Sequence, residues 1–245
     1  MKPHRFPRLS DFAERRDALE LMDDPGADIE RLLRTIRQFS LVNSLLGCTA
    51  RRFARHFFPL MMEDREYRVI DVGSGGCDIA VAIAKAARRR GIRLSILAID
   101  RDARILPLAR QNVAAFPEIE ARVGEVGDLA SLGPYDVVIC NHLLHHLGRE
   151  EIGDFLSVAA KSARLGLLFD DLLRSPWSWF GFTLFSSIFT RGSFTLDDGR
   201  LSILRGFRPG ELEALAVERG LGAEVGVFEA FPGRVGFLFV RRVSF

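Results

Sequence analysis

Between residues 67 and 172 short apolar runs alternate with segments whose apolar residues recur at helical spacing. "YRVIDV", "RLSILAI", "IEARVGEV", "YDVVIC" and "RLGLLFD" read as strands, and "DIAVAIAKAARRR", "ARILPLARQNVAAF" and "REEIGDFLSVAAKSA" as the helices between them. Strands separated by helices of this length are joined by right-handed crossovers, which dictates a parallel sheet covered on both faces. The alternation then stops. After the helix "PGELEALAVERG", the strands "AEVGVFEAF" and "RVGFLFVRR" are separated only by "PG", too little chain for a crossover, so they must pair antiparallel. An α/β fold is expected, with a parallel open sheet that ends in an antiparallel hairpin.

Two stretches lie outside this rhythm. From about residue 27 to 59, Ile29, Leu32, Leu33, Ile36, Leu41, Leu45 and Leu46 mark two helices interrupted near "GCTA". Residues 1–60 are therefore read as an N-terminal helical cap on a main unit of residues 61–245. Residues 172–207 form the other, a connection holding both tryptophans and five phenylalanines by residue 194. A connector that long inside a compact domain is usually functional. Phe182, Phe185 and Phe189 follow helical spacing, and three settings suit such a face: the wall of a substrate lid, ordinary core or dimer surface, or shallow contact with a membrane interface.

The bulk composition excludes several classes. With 34 basic and 32 acidic residues, only three of them lysine and none gathered into a tail, no nucleic-acid partner is expected. The run Arg88–Arg90 reads as a solvated helix end. Cys48, Cys77 and Cys140 are far apart, without a CxxC pair, so neither a disulfide framework nor a cysteine zinc site is written here and a reducing cytoplasm is expected. No stretch is long and apolar enough to span a bilayer, and the N-terminus lacks the core of a signal peptide. A homodimer and peripheral membrane contact stay open as alternatives.

"VIDVGSGGCDIAVAIA" runs from a strand through a glycine turn into a helix. Gly73 and Gly75 let the backbone approach a ligand closely. The spacing departs from GxGxxG, and Asp71 stands just before the turn. A dinucleotide pyrophosphate favours the bare positive end of the helix, whereas an acid there suits a ligand with an ammonium group. Asp100 ends the second strand, placed for ribose hydroxyls, and Asp128 follows the third, within reach of an adenine amino group.

In this order and on these elements, the residues resemble the class I S-adenosylmethionine-dependent methyltransferases over residues 67–245. The resemblance implies a Rossmann-like seven-stranded sheet of order 3-2-1-4-5-7-6 with the last strand antiparallel, and S-adenosylmethionine as cofactor, leaving S-adenosylhomocysteine. It implies that Asp71, Gly73, Ser74 and Gly75 hold the methionine part, Asp100 and Arg101 flank the ribose, Asp128 and Leu129 the adenine, and Asn141 meets the cofactor from the fourth strand. Cys77 stands where the pattern has its third glycine and is implied to line the pocket. More narrowly, "NSLLG", "DDLLRSP" and "DDGRLSILRGFRPGELEAL" are similar to bacterial methyltransferases associated with type III polyketide synthases. That likeness implies O-methylation of a small hydrophobic phenolic, quinone or polyketide-like acceptor in secondary metabolism. N- or C-methylation is the nearest variant, and a nicotinamide oxidoreductase or a silent cofactor-binding subunit are the readings from other classes.

Candidate catalytic groups fall at the carboxyl edge of the sheet, where open α/β sheets bind ligands. Asp170 and Asp171 end the fifth strand. "VICNHLLHHLGRE" places His142, His145 and His146 after the fourth. At positions i, i+3 and i+4 of a helical turn the three rings would face one way. Metal binding, a base or substrate-orienting role, and packing alone are the alternatives. His142, His145 and Asp171 are taken as the catalytic candidates, and no residue is assigned to a metal.

Overall fold

The computed structural model describes residues 7–46 and 48–241; residues 1–6 and 242–245, the outer ends of the two units read from the sequence, and Gly47 of "NSLLG" lie outside the described residues. The expected alternation is present: β1 (Glu66–Val72), α3 (Asp78–Arg88), β2 (Arg93–Asp100), α4 (Leu106–Val113), β3 (Ile119–Val123), β4 (Tyr135–Asn141), α5 (Arg149–Ser162) and β5 (Ala163–Leu172). Before it come α1 (Ile29–Leu46) and α2 (Thr49–His56). After it come α6 (Pro176–Phe189), α7 (Thr195–Arg205), α8 (Pro209–Glu218), β6 (Gly226–Ala230) and β7 (Arg234–Val240).

The seven strands lie in the order β3-β2-β1-β4-β5-β7-β6. Strands β1 to β5 pair in parallel, and β7 runs antiparallel to both β5 and β6. Side chains alternate between the faces as the strand pleat requires. Val69, Val137 and Ile139 pack with Phe53, Phe57 and Ile83 beneath α2 and α3, whereas Ile70, Val138 and Cys140 pack with Phe155, Phe169 and Phe237 beneath α5. Burial on both faces explains why β4 reads as an unbroken apolar run.

Two glycines admit the close approach of β7 to β5. A Cβ on Gly166 would collide with the carbonyl oxygen of Phe239, and one on Gly236 with that of Phe169. The hairpin can thus seat directly on β5, which brings Arg234 to the carboxyl edge beside Asp170 and Asp171.

Candidate functional site

The glycine loop is built by the crossover from β1. Gly73 has φ 71° and Gly75 φ 51°, and the amides of Gly73 and Ser74 both donate to the Ile99 carbonyl at the end of β2. A Cβ on Gly73 would press on Leu143 at 3.0 Å. Asp100 closes the turn, accepting from the Gly75 amide at 2.8 Å and the Asp102 amide at 2.9 Å. Cys77 also takes a left-handed conformation, φ 62°, as the glycine of the pattern would. It does not line the cavity, however: it is fully buried in the core under α3, and burial pushes its thiol up to about 12.

Asp71 is 1% exposed and its Oδ2 has no hydrogen-bond partner among the described residues. Burial first, then the nearby Asp78 and Asp100, push its carboxyl up to about 8. A buried carboxylate oxygen without a partner is costly and invites a cationic ligand. Asp71, Ser74, Gly75, Asp100 and Arg101 all border one cavity of about 1070 Å³, which continues past Asn141, His142, His145 and His146 to Phe182 and Phe185 of α6.

At the third strand the cavity lining does not include the two expected residues, Asp128 and Leu129. Asp128 turns its Oδ2 back to cap the Glu125 amide at 2.9 Å, and Leu129 is fully buried in the core. The cavity is bordered there by Gly124, Glu125, Val126 and Gly127. The short 3₁₀ turn Val126–Ala130 favours this local cap over a side chain reaching into the pocket.

The histidine corner also departs from the expected helical face. His142 has φ 58°, and only Leu144–His146 form a turn, of the 3₁₀ kind, so the three rings do not share one face. His142 accepts a hydrogen bond at Nε2 from Arg234, and burial and that guanidinium hold it neutral, well below the usual imidazole range. His145 Nδ1 lies 2.7 Å from Asp171 Oδ1. Burial opposes its charge, but the Asp171 carboxylate and Glu20 raise His145 to about 9. His146 Nδ1 lies 3.1 Å from Asp23 Oδ2.

The two acids of β5 are both held by several partners. Asp170, fully buried, accepts from Arg234 Nε at 2.7 Å, from Thr49 at 2.8 Å and from Arg52, which fastens α2 to the sheet edge. Asp171, equally buried, takes the His145 ring, the His145 amide at 3.2 Å and the Leu172 amide at 2.7 Å. Burial would raise its pKa, but the charge on His145 holds it well below the carboxylate range. Asp171 is thus a close partner of His145. Asn141 borders the cavity, its Oδ1 accepting from Arg234 at 2.6 Å.

Sequence reasoning missed Glu20, Asp23 and Arg234. Glu20 is 2% exposed and accepts from Ser202 of α7 at 2.7 Å. The backbone that carries it is clamped where Asp198 accepts from the Leu21 and Met22 amides at 2.8 and 3.0 Å. The acidic run "ELMDD" and the arginine directly after "PG" were the available signals.

Residues 69–166 match a family model described as a methyltransferase domain. Over that stretch, less than half of the chain, the sequence is similar to that family. The fold is similar to those of solved methyltransferase structures, three of which follow. Magnesium protoporphyrin IX methyltransferase from Synechocystis PCC 6803, with bound SAH, is 18% identical at a TM-score of 0.52, covering 91% of each chain. The plantazolicin methyltransferase BpumL, in complex with SAH, is 14% identical at a TM-score of 0.62, covering 91% of this chain and 93% of that one. Human N-acetylserotonin methyltransferase, in complex with SAM, is 15% identical at a TM-score of 0.59; 93% of this chain is covered but only 61% of the human one. At these identities the likeness establishes the fold. No curated protein matches the chain by sequence. S-adenosylmethionine is the cofactor this site fits, since the Asp71 carboxylate, with an oxygen unpartnered among the described residues, the glycine turn and the Asp100 carboxylate all border the same cavity. Among the described residues no helix is long and apolar enough to cross a membrane.

Proposed function

We propose that this chain transfers a methyl group from S-adenosylmethionine to a hydroxyl oxygen of a small hydrophobic acceptor of the phenolic, quinone or polyketide-like kind. The observation that carries the reading is the continuity of the cavity from the glycine loop to the histidine corner and the aromatic face of α6. When bound, S-adenosylmethionine supplies a sulfonium methyl that passes to the acceptor oxygen in one displacement, the C–S electron pair staying on sulfur and the hydroxyl proton being released.

The protein's part is mainly positioning, which can supply on the order of 7 to 11 kcal/mol. Asp71 holds the ammonium group, the loop of Gly73, Ser74 and Gly75 lies along the methionine part, and Asp100 with Arg101 takes the ribose. Phe182 and Phe185 give the acceptor an apolar wall, with residues 172–207 as the lid and the N-terminal cap adding Ile36, Phe39 and Val42 to the cavity lining. His142 and His145 border the acceptor end of the cavity, His142 oriented by Arg234 and His145 by Asp171. A well-placed proton-handling group contributes about 10²-fold to 10⁴-fold.

Two measurements test this. Calorimetry with S-adenosylhomocysteine and with NAD should give binding of the first alone, and absence of heat with S-adenosylhomocysteine refutes the reading. A panel of phenols and hydroquinones with isotopically labelled methyl donor should yield an O-methylated product, slowed at least about 100-fold in His142→Ala or His145→Ala. Unchanged rates in both variants would remove the histidines from the mechanism.

A further inference from the structure

Two imidazoles at the acceptor end of the cavity are arranged alike. His145 gives Nδ1 to Asp171 at 2.7 Å, His146 gives Nδ1 to Asp23 at 3.1 Å, and both turn Nε2 toward the same carboxylate, Glu20. The Nε2 distances are 3.5 Å to Glu20 Oε1 from His145 and 3.9 Å to Oε2 from His146. Both are longer than a well-formed charge-assisted hydrogen bond of about 2.7–2.9 Å. The 3.5 Å approach is close to the separation of ligands that share an ion, and the 3.9 Å approach, to the other Glu20 oxygen, is somewhat wider: metal–nitrogen and metal–oxygen bonds of about 2.0–2.2 Å at tetrahedral angles set ligand atoms about 3.4 Å apart.

We propose that Glu20, His145 and His146 form a binding site for a single divalent first-row transition ion that borders the acceptor end of the cavity. Their ligand atoms lie within 4.8 Å of one another. The surroundings supply what such a site needs beyond its ligands. A ligating histidine donates its other ring N–H to a carboxylate, which fixes tautomer and ring orientation, and here both do. Ser202 orients Glu20 at 2.7 Å, and Asp198 fixes the Leu21 and Met22 amides beside it. The carboxylates Glu20, Asp23 and Asp171 surround the two rings, with Arg101 paired to Asp23 and Arg205 bonded to the His145 carbonyl. His142, third of the sequence triplet, is not a ligand because Arg234 occupies its Nε2. Two imidazoles and one carboxylate suit Zn²⁺ or Fe²⁺ in preference to Mg²⁺ or Ca²⁺, which favour all-oxygen shells. The three ligands border the cavity, so the remaining coordination positions open onto it, where an acceptor oxygen would bind. Only that last role rests on the proposed methyl transfer.

The test uses the full chain without a polyhistidine tag, stripped with a chelator and titrated calorimetrically with Zn²⁺ and separately with Mg²⁺, with bound metal counted after gel filtration. One Zn²⁺ per chain is expected, with no comparable binding of Mg²⁺. Glu20→Gln and His146→Ala should each weaken it more than about 100-fold and Asp23→Asn by about 10-fold to 100-fold, while His56→Ala on α2 leaves it unchanged. Affinity for S-adenosylhomocysteine and the thermal transition, measured on the same samples, show that each variant is folded. Should Glu20→Gln fail that check, the partly exposed His146→Ala decides. No bound Zn²⁺ in the wild-type chain, or Zn²⁺ bound equally by the folded variants, overturns the site even where S-adenosylhomocysteine binds normally. Binding of that ligand failing while Zn²⁺ binds one per chain would overturn the proposed function and leave the metal site standing.

Discussion

Asp71 makes the cofactor affinity depend on pH in a way that can be worked from the structure. In the ligand-free chain burial, together with Asp78 and Asp100, raises its carboxyl from 3.8 to about 8. Below that value most molecules carry a neutral Asp71, which cannot pair with the ammonium of a bound amino acid moiety, so binding must first expel a proton. Apparent affinity is reduced by the competent fraction. With a pKa of about 8 that fraction is about 1 in 100 at pH 6 and about 1 in 11 at pH 7, so the dissociation constant for S-adenosylhomocysteine should fall about 9-fold over that unit. The ligand's own α-amino group stays largely charged between pH 6 and 7. Above pH 8 the gain levels off, because Asp71 is then mostly ionised.

Asp71→Asn isolates the effect. Asp78 and Asp100 are also pushed up by burial, and the difference between wild type and variant subtracts their part. The variant should lose most of the pH dependence between pH 6 and 7 and, at pH 8, bind about 10-fold to 150-fold more weakly, the worth of a charged hydrogen bond. Ligand-free stability should move the other way. Because the folded pKa is raised, the protonated group favours the native state, and that advantage is lost as pH rises from 3.8 through about 8. At pH 8 to 9 the asparagine variant should therefore melt at a higher temperature than the wild type. Calorimetric titrations at pH 6, 7 and 8 with parallel thermal melts decide the matter. A wild-type dissociation constant that stays level between pH 6 and 7 refutes the reasoning.

Asp170→Asn breaks a buried ion pair with Arg234 and Arg52 and should cost about 3–5 kcal/mol, read from urea unfolding. A loss under about 1 kcal/mol would show that the arginines find other partners. Gly236→Ala forces a Cβ into the Phe169 carbonyl oxygen, so β7 must separate from β5, and the soluble yield or unfolding midpoint should collapse; a stability within about 1 kcal/mol of wild type would refute the close packing. Phe182→Ala and Phe185→Ala remove apolar surface from the acceptor wall and should each raise KM for the acceptor about 10-fold while leaving S-adenosylhomocysteine affinity unchanged. A change in the cofactor constant instead would place these rings at the other end of the cavity.

The sheet was legible because its order follows from local periodicity: helices long enough for crossovers, then a hairpin joined by "PG" that has no room for one. The glycine loop, Asp71 and Asp100 were legible for a related reason, since each sits at a strand end whose position the pattern determines. What could not be read is what reaches the site from far along the chain. Glu20 lies in a stretch whose short 3₁₀ turn, Leu21–Asp23, carries no periodicity, and it meets His145 only because Asp198 and Ser202 of α7 hold that turn in place. Arg234 reaches His142 across 92 positions through an antiparallel pairing that decides both its register and its partners. Phe189 has the same helical spacing as Phe185 but is 60% exposed, because side-chain period gives the face of a helix and not how far its covering extends. The corner after β4 shows the division most clearly. Its imidazoles were visible in the sequence, but their chemistry is set by four carboxylate and guanidinium partners, Glu20, Asp23, Asp171 and Arg234, none of them within 20 residues. A histidine's role is therefore a property of the assembled edge of the sheet: one ring held neutral by an arginine, two held toward a shared glutamate, from three identical letters.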